Sequence, residues 1–207
     1  MGRYYNEKRS LDNNRMIHTY IPYAPKETHT NLGMVYNNFM EMIGDDDWAC
    51  FLDHDATFTT RHWYFQLNEI IEKNPQYGLL TAMTNRIGQK LQVVQGVDTE
   101  NHDIKYHRAV GKAMQEQHNT NVTDLTTDNS DYFLNGVVIL ISKKAWKECG
   151  GFIEGFLGVD RTLHKNCVEN GVSVGRMDGV YVYHWYRGDG DMQHVIEAQQ
   201  LGNNTVI

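Results

Sequence analysis

Two carboxylates one residue apart, Asp53 and Asp55, close the short apolar run Trp48-Ala49-Cys50-Phe51-Leu52. The run suits a buried strand and is too short for an ordinary helix. Two carboxylates at the tip of a buried strand are costly unless a cation waits there. Residues two apart project to the same side of an extended chain, and carboxylate oxygens suit hard divalent ions. In open α/β sheets, ligands gather at the carboxyl ends of strands. The expectation is a Mn²⁺ or Mg²⁺ ion held by Asp53 and Asp55 and, through it, a diphosphate. The plainer alternative is a solvated turn. His54, between the pair, should point away from the ion. Asp45-Asp46-Asp47 repeats the spacing, but it precedes the strand and so belongs at the opposite edge, as a solvated helix-to-strand turn.

The elements around this strand follow from periodicity and punctuation. Residues 1–15 form a polar lead-in. Met16 to Ile21 reads as a strand closed by Pro22 and Pro25. Leu32, Val35, Tyr36, Phe39, Met40 and Ile43 recur at helical spacing, with Thr30 or Asn31 as cap and Gly44 as terminator. Thr59 or Thr60 should cap a helix reaching Lys73 and stopped by Asn74-Pro75. Tyr77 to Met83 is a strand ending in Thr84-Asn85-Arg86. Residues 100–118 form an amphipathic helix and 119–131 a loop. Tyr132 to Ile141 is a strand interrupted by Asn135-Gly136, where missing side-chain bulk lets a ligand approach. Ser142 caps a short helix ending at Gly150-Gly151, and Asp160 to Glu169 forms another. Val172–Met177 and Val180–Tyr183 are short strands, and Asp191 to Leu201 is a final helix in a tail covering 188–207. Strands alternating with helices imply one α/β domain over 1–207 with a mainly parallel sheet.

Bulk properties narrow the class. The 207 residues can bury a sizeable core. A formal net charge of −7 disfavours a nucleic-acid binder, which usually carries a basic face. No apolar run has the length of a membrane span, and the N-terminus does not read as a signal peptide. Three widely spaced cysteines, with no Cys-x-x-Cys pair, fit reduced thiols and a cytoplasmic location.

Two segments, taken in order, resemble the GT-A glycosyltransferases, especially the family-2 enzymes that use nucleotide sugars. One is Asn31-Leu32-Gly33 through Asn37, leading to Asp53-His54-Asp55. The other is Gly136 to Leu140, then Gly150-Gly151-Phe152 through Asp160, with a late His in Tyr183-His184-Trp185-Tyr186. The resemblance spans roughly residues 16–187 on motif order. It implies a GT-A (Rossmann-like) fold with Asp55 as direct metal ligand and Asp53 on ribose or metal. It also implies His184 as closing ligand and Asp160 as the general base of an inverting displacement. Tyr20, Ile21, Pro22 and Arg86 would touch the donor, and Gly136 and Trp185 the sugar or acceptor. Asn31 and Asn37 either bond the nucleotide or cap and brace their helix, and Asp160 suits a helix N-cap as well as a base. Family members usually carry two strand–helix units before the Asp-x-Asp strand. One fits here, which implies a shortened base-binding region. Asp160 is followed by Arg161 and Thr162 rather than a second acid, and no Gln/Arg-x-x-Arg-Trp motif of processive synthases occurs.

The expected activity is transfer of one sugar from a nucleotide-sugar donor to an acceptor hydroxyl of unspecified class. A non-catalytic carbohydrate- or nucleotide-binding module is the alternative. A sugar nucleotidyltransferase is disfavoured because Ala24 to Thr28 stands where a Gly-rich, Arg-containing loop would be. A histidine metallohydrolase is disfavoured because no His-x-His or His-x-x-x-His occurs.

Overall fold

The computed structural model describes residues 15–23, 31–127 and 132–185. Most of the expected polar lead-in, the final helix and tail, Pro25, Thr30, Tyr186 and Arg187 lie outside the described residues. The chain runs β1 (Ile17–Tyr20), α1 (Leu32–Met42), β2 (Trp48–Leu52), β3 (Ala56–Phe58), α2 (Trp63–Lys73) and β4 (Tyr77–Thr84). It continues with α3 (Ile104–His118), β5 (Val122–Asp124), β6 (Val138–Ser142), α4 (Lys143–Glu148), α5 (Val159–Glu169) and β7 (Ser173–His184).

Seven strands form one sheet in the order β1-β2-β6-β4-β7-β3, with β5 also paired to β7. The α/β class stands as expected, but the sheet is mixed rather than mainly parallel. β1 and β2 run parallel, as do β4 and β7, while β6 is antiparallel to both β2 and β4. β3 and β5 lie antiparallel against the two halves of β7. The reversal of β6 follows from how the chain enters it. Residues 132–137 arrive beside the end of β2, so β6 begins opposite Leu52 and runs back to pair Ser142 with Trp48.

The core has two layers because side chains alternate across the pleat. In β2, Ala49 and Phe51 join Tyr36, Met40, Ile139, Trp146, Phe152 and Leu163 on the α1/α4/α5 face. Trp48, Cys50 and Leu52 join Leu67, Ile70, Leu80, Leu140 and Val182 on the α2 face. All five residues of β2 are buried, which is why the segment reads as a continuous apolar run.

Several boundaries differ from the sequence expectation. The strand expected from Tyr132 starts only at Val138. Leu134 is buried off the sheet, and its N–H donates to His164 Nδ1 at 3.0 Å. The two short strands expected after Gly171 form the continuous twelve-residue β7. It absorbs extra residues through a register shift against β4 between Ala82 and Met83. Gly179 makes this possible, since a Cβ there would overlap the Asn119 carbonyl oxygen. Thr59 does not cap α2. Its buried hydroxyl donates to the Tyr181 carbonyl at 2.6 Å, and the helix starts after His62. The 119–131 loop contains β5, and β3 follows the aspartate pair; at three residues each, neither carries a readable period. No helix among the described residues is long and apolar enough to cross a membrane.

Candidate metal centre

Asp53, Asp55 and His184 offer one ligand atom each within 4.8 Å of one another. Topology explains how residues so far apart in sequence meet. β6, β4 and β7 lie between β2 and β3 in the sheet, so the Asp53–Asp55 link must cross the ends of all three to reach β3. It is anchored at each side. Asp53 N–H donates to the Val137 carbonyl at 3.2 Å, extending the β2/β6 ladder, and Trp185 N–H donates to the Asp55 carbonyl at 3.0 Å, extending β3/β7. Between those anchors Ala56 N–H bonds the Asp53 carbonyl at 3.1 Å. The pair therefore shares a tight turn rather than an extended segment, which corrects the geometry expected from alternation. The carboxylates still converge, and His54 is exposed.

His184 is held from three directions. The side chain of Asn85, fully buried, accepts from His184 N–H at 2.8 Å and donates to its carbonyl at 3.1 Å. The Arg86 carbonyl lies 3.0 Å from His184 Nδ1. A carbonyl only accepts, so Nδ1 carries the proton and Nε2 turns toward the carboxylates. Nε2 is 3.1 Å from Asp55 Oδ1 and 3.7 Å from Asp53 Oδ2. Two acceptors at 3.1 Å repel unless a proton or a metal cation sits between them. The donor set is one imidazole and two carboxylates, with the ring's other nitrogen bonded to a carbonyl. That combination fits a hard or borderline divalent ion such as Mn²⁺ or Mg²⁺.

The electrostatics agree. Burial pushes the Asp53 carboxyl up to about 6, against the pull of His184 and with added repulsion from Asp55 and Asp160. Its side chain remains 36 % exposed, so the effect comes from surrounding protein volume and like charge rather than closure against water. Burial also opposes ionisation of Asp55, but its bond to His184, the charge of that ring and His54 outweigh it and hold Asp55 below the ordinary carboxylate range. Tyr36, on α1, is buried beside the same charges, and burial, Asp53 and Asp160 together push its phenol far up.

Asp160 stands at the first turn of α5 and faces the start of β6. Its Oδ2 accepts from Gly136 N–H at 2.9 Å and from Asn135 Nδ2 at 3.4 Å, while Oδ1 accepts from Arg161 N–H at 2.8 Å. The 135–136 loop is fixed from behind by buried Gln92, which accepts from Asn135 N–H at 2.6 Å and donates to the Asn135 carbonyl at 3.1 Å. A Cβ on Gly136 would meet only ordinary van der Waals neighbours, two of them atoms of Asp160.

The remaining expected residues divide. Tyr20, Ile21 and Pro22 end β1 at the same edge as Asp53, since Tyr20 pairs with Phe51. Tyr20 stacks on Phe39 with centroids 4.2 Å apart. Arg86 pairs with Glu100 at 3.4 Å. Asn31 and Asn37 act as braces. Asn31 Oδ1 caps α1 through Met34 N–H and also accepts from Gly155 N–H, and its amide donates to Glu154. Asn37 clasps both polar groups of Phe152 and accepts from the Trp146 indole. Between them lies Gly33, where a Cβ would overlap the Ile153 carbonyl oxygen. The Asn-x-Gly…Asn pattern is thus the dock for the 150–158 segment that leads into Asp160.

Sequence reasoning did not single out Gln92, Tyr36, Glu100 or His102, and it placed Asn85 at a strand end without recognising it as the clamp on His184. Only the strand-end position of Asn85 gave a signal. No protein-family model matches the chain, and no curated protein matches it.

Proposed function

We propose that the chain is a metal-dependent glycosyltransferase of the GT-A type, moving one sugar from a nucleotide-sugar donor to an acceptor hydroxyl. The observation that supports this reading best is the convergence of Asp53, Asp55 and His184 with Asp160 at one edge of the sheet. A bare metal site would not require Asp160, and Asp53 feels it directly.

Asp53, Asp55 and His184 would hold Mn²⁺ or Mg²⁺, which supplies charge neutralisation for a departing nucleoside diphosphate. Asp160 is the general base. Its two oxygens offer about four acceptor positions, and among the described residues the three donors Gly136 N–H, Asn135 Nδ2 and Arg161 N–H use three of them, which suits the fourth to an acceptor O–H. As that proton moves to Asp160, the acceptor oxygen bonds the anomeric carbon and the bond from that carbon to the diphosphate oxygen breaks. A single displacement of this kind inverts configuration. The backbone amide of Gly136 and the Asn135 carboxamide keep the base aimed.

The test is turnover of a panel of nucleotide sugars with Mn²⁺, monitored by release of nucleoside diphosphate. Asp55→Ala should abolish release while leaving the circular dichroism spectrum unchanged. Tight nucleotide-sugar binding without release or transfer, for every acceptor tried, would replace the enzyme with a binding module.

A further inference from the structure

Trp185, which the resemblance puts on sugar or acceptor, belongs to a built feature beside the metal centre. Trp185, 40 % exposed, stacks on the His102 imidazole with centroids 4.5 Å apart and planes 29° from parallel. The imidazole is itself held, because His102 Nδ1 and the Tyr183 hydroxyl hydrogen-bond at 2.8 Å. The loop bearing His102 is pinned twice more. His107, fully buried, bonds the Asn101 carbonyl at 2.6 Å, and the Tyr106 hydroxyl accepts from Asp98 N–H at 3.0 Å. The backbone that carries the indole is anchored, since Trp185 main-chain N–H donates to the Asp55 carbonyl. One ring face is covered by His102, and the backbone bond fixes the point from which the ring projects.

The same loop carries Glu100, paired with Arg86, whose carbonyl holds His184. Planar charged groups thus flank the stack on the side of the metal triad. The charges choose among ligands. Among the described residues, Asp53, Asp55, Asp160 and Glu100 are acidic and Arg86 is paired with Glu100, so the described charges here do not favour a phosphate. A neutral ligand with an apolar face and a hydroxyl rim suits this place, because aromatic faces take C–H surfaces while carboxylate and guanidinium groups take hydroxyls.

We propose that Trp185, backed by His102 and flanked by Arg86 and Glu100, is a binding platform for a neutral pyranoside, and that the acceptor is therefore a glycan or glycoside. The assignment as acceptor subsite rests on the transferase reading; binding itself rests on the geometry alone.

Saturation-transfer-difference NMR on the whole chain tests it, with methyl gluco-, galacto- and mannopyranosides in EDTA and uridine as control. Ring protons of at least one pyranoside should show transfer, lost in Trp185→Ala, kept in Trp185→Phe and weakened in His102→Ala. Truncating the stacking ring should weaken binding about tenfold. A Mn²⁺-induced rise in melting temperature should persist in Trp185→Ala, showing that the variant folds and the metal centre survives. Absence of transfer from every pyranoside, transfer indifferent to Trp185→Ala, or transfer from uridine alone would overturn the platform. A chain that binds pyranosides in EDTA but shows no Mn²⁺ response would keep the platform and lose the metal-dependent transferase.

Discussion

Replacing Asn85 by Leu separates the support of His184 from stability in general. Asn85 is fully buried and clamps both backbone polar groups of His184. Leucine fills a similar volume and removes the hydrogen bonds that Asn85 makes to one buried N–H and one buried C=O. Each bond lost at a buried group costs about 1–3 kcal/mol, so the variant should lose about 2–6 kcal/mol from a total on the order of 5–15 kcal/mol. The metal should feel a second effect. Groups that orient a ligating histidine typically contribute about 10–100-fold in affinity, so Mn²⁺ binding by isothermal titration calorimetry should weaken by that factor. Asn85→Asp keeps an acceptor for His184 N–H but turns an oxygen toward the His184 carbonyl, and should retain part of both quantities. Leu67→Ala is the matched control. It removes a fully buried side chain on the α2 face at a cost of about 2.7–5 kcal/mol and touches nothing at the site. Urea denaturation and calorimetry on the three variants give a clear outcome. If Asn85→Leu lowers the urea midpoint as Leu67→Ala does, yet leaves Mn²⁺ affinity unchanged, then His184 is not a ligand positioned by Asn85.

Two further outcomes follow from particular contacts. Gly33→Ala should destabilise by at least about 1–3 kcal/mol, because its Cβ would overlap backbone at Ile153, whereas Gly136→Ala, which meets only ordinary contacts, should leave the melting temperature almost unmoved; differential scanning fluorimetry of both checks this. Burial holds the His164 imidazole below its ordinary range in the folded chain, so the unfolded state binds the extra proton. His164 therefore adds stability that is complete above the unfolded value near 6.5 and lost as pH falls below it, with a limiting slope of about 1.4 kcal/mol per pH unit. His164→Gln keeps an acceptor for Leu134 N–H and should flatten the fall in urea midpoint between pH 7 and pH 5.

The parts of the fold legible in the chain are those written in short-range chemistry. β2 is recognisable because both its faces are buried, and Asn31 and Ser142 cap α1 and α4 as their residue types suggest. The order Asp53, Asp55, Asp160, His184 does meet at one edge. What was not legible depends on partners distant in sequence. Residues 132–137 look like strand because Phe133, Leu134 and Val137 are apolar, yet they are ordered by Gln92 and His164 rather than by a ladder. β7 looks like two strands because Asp178-Gly179 resembles a turn, until the Asn119 carbonyl occupies the space that a Cβ at Gly179 would need. The direction of β6 depends on where the preceding loop delivers it, which no local pattern states.

The crossing of the Asp53–Asp55 turn over the sheet ends has a kinetic consequence. His184 and Asp55 meet across 129 residues of sequence, and the ring reaches the carboxylates only after β7 has docked between β4 and β3. Such a site has no early, partial form. An ion bound there favours the finished state alone, so it should slow unfolding and leave the folding rate almost untouched. Metal occupancy would then report that the last long-range pairing of the sheet has closed.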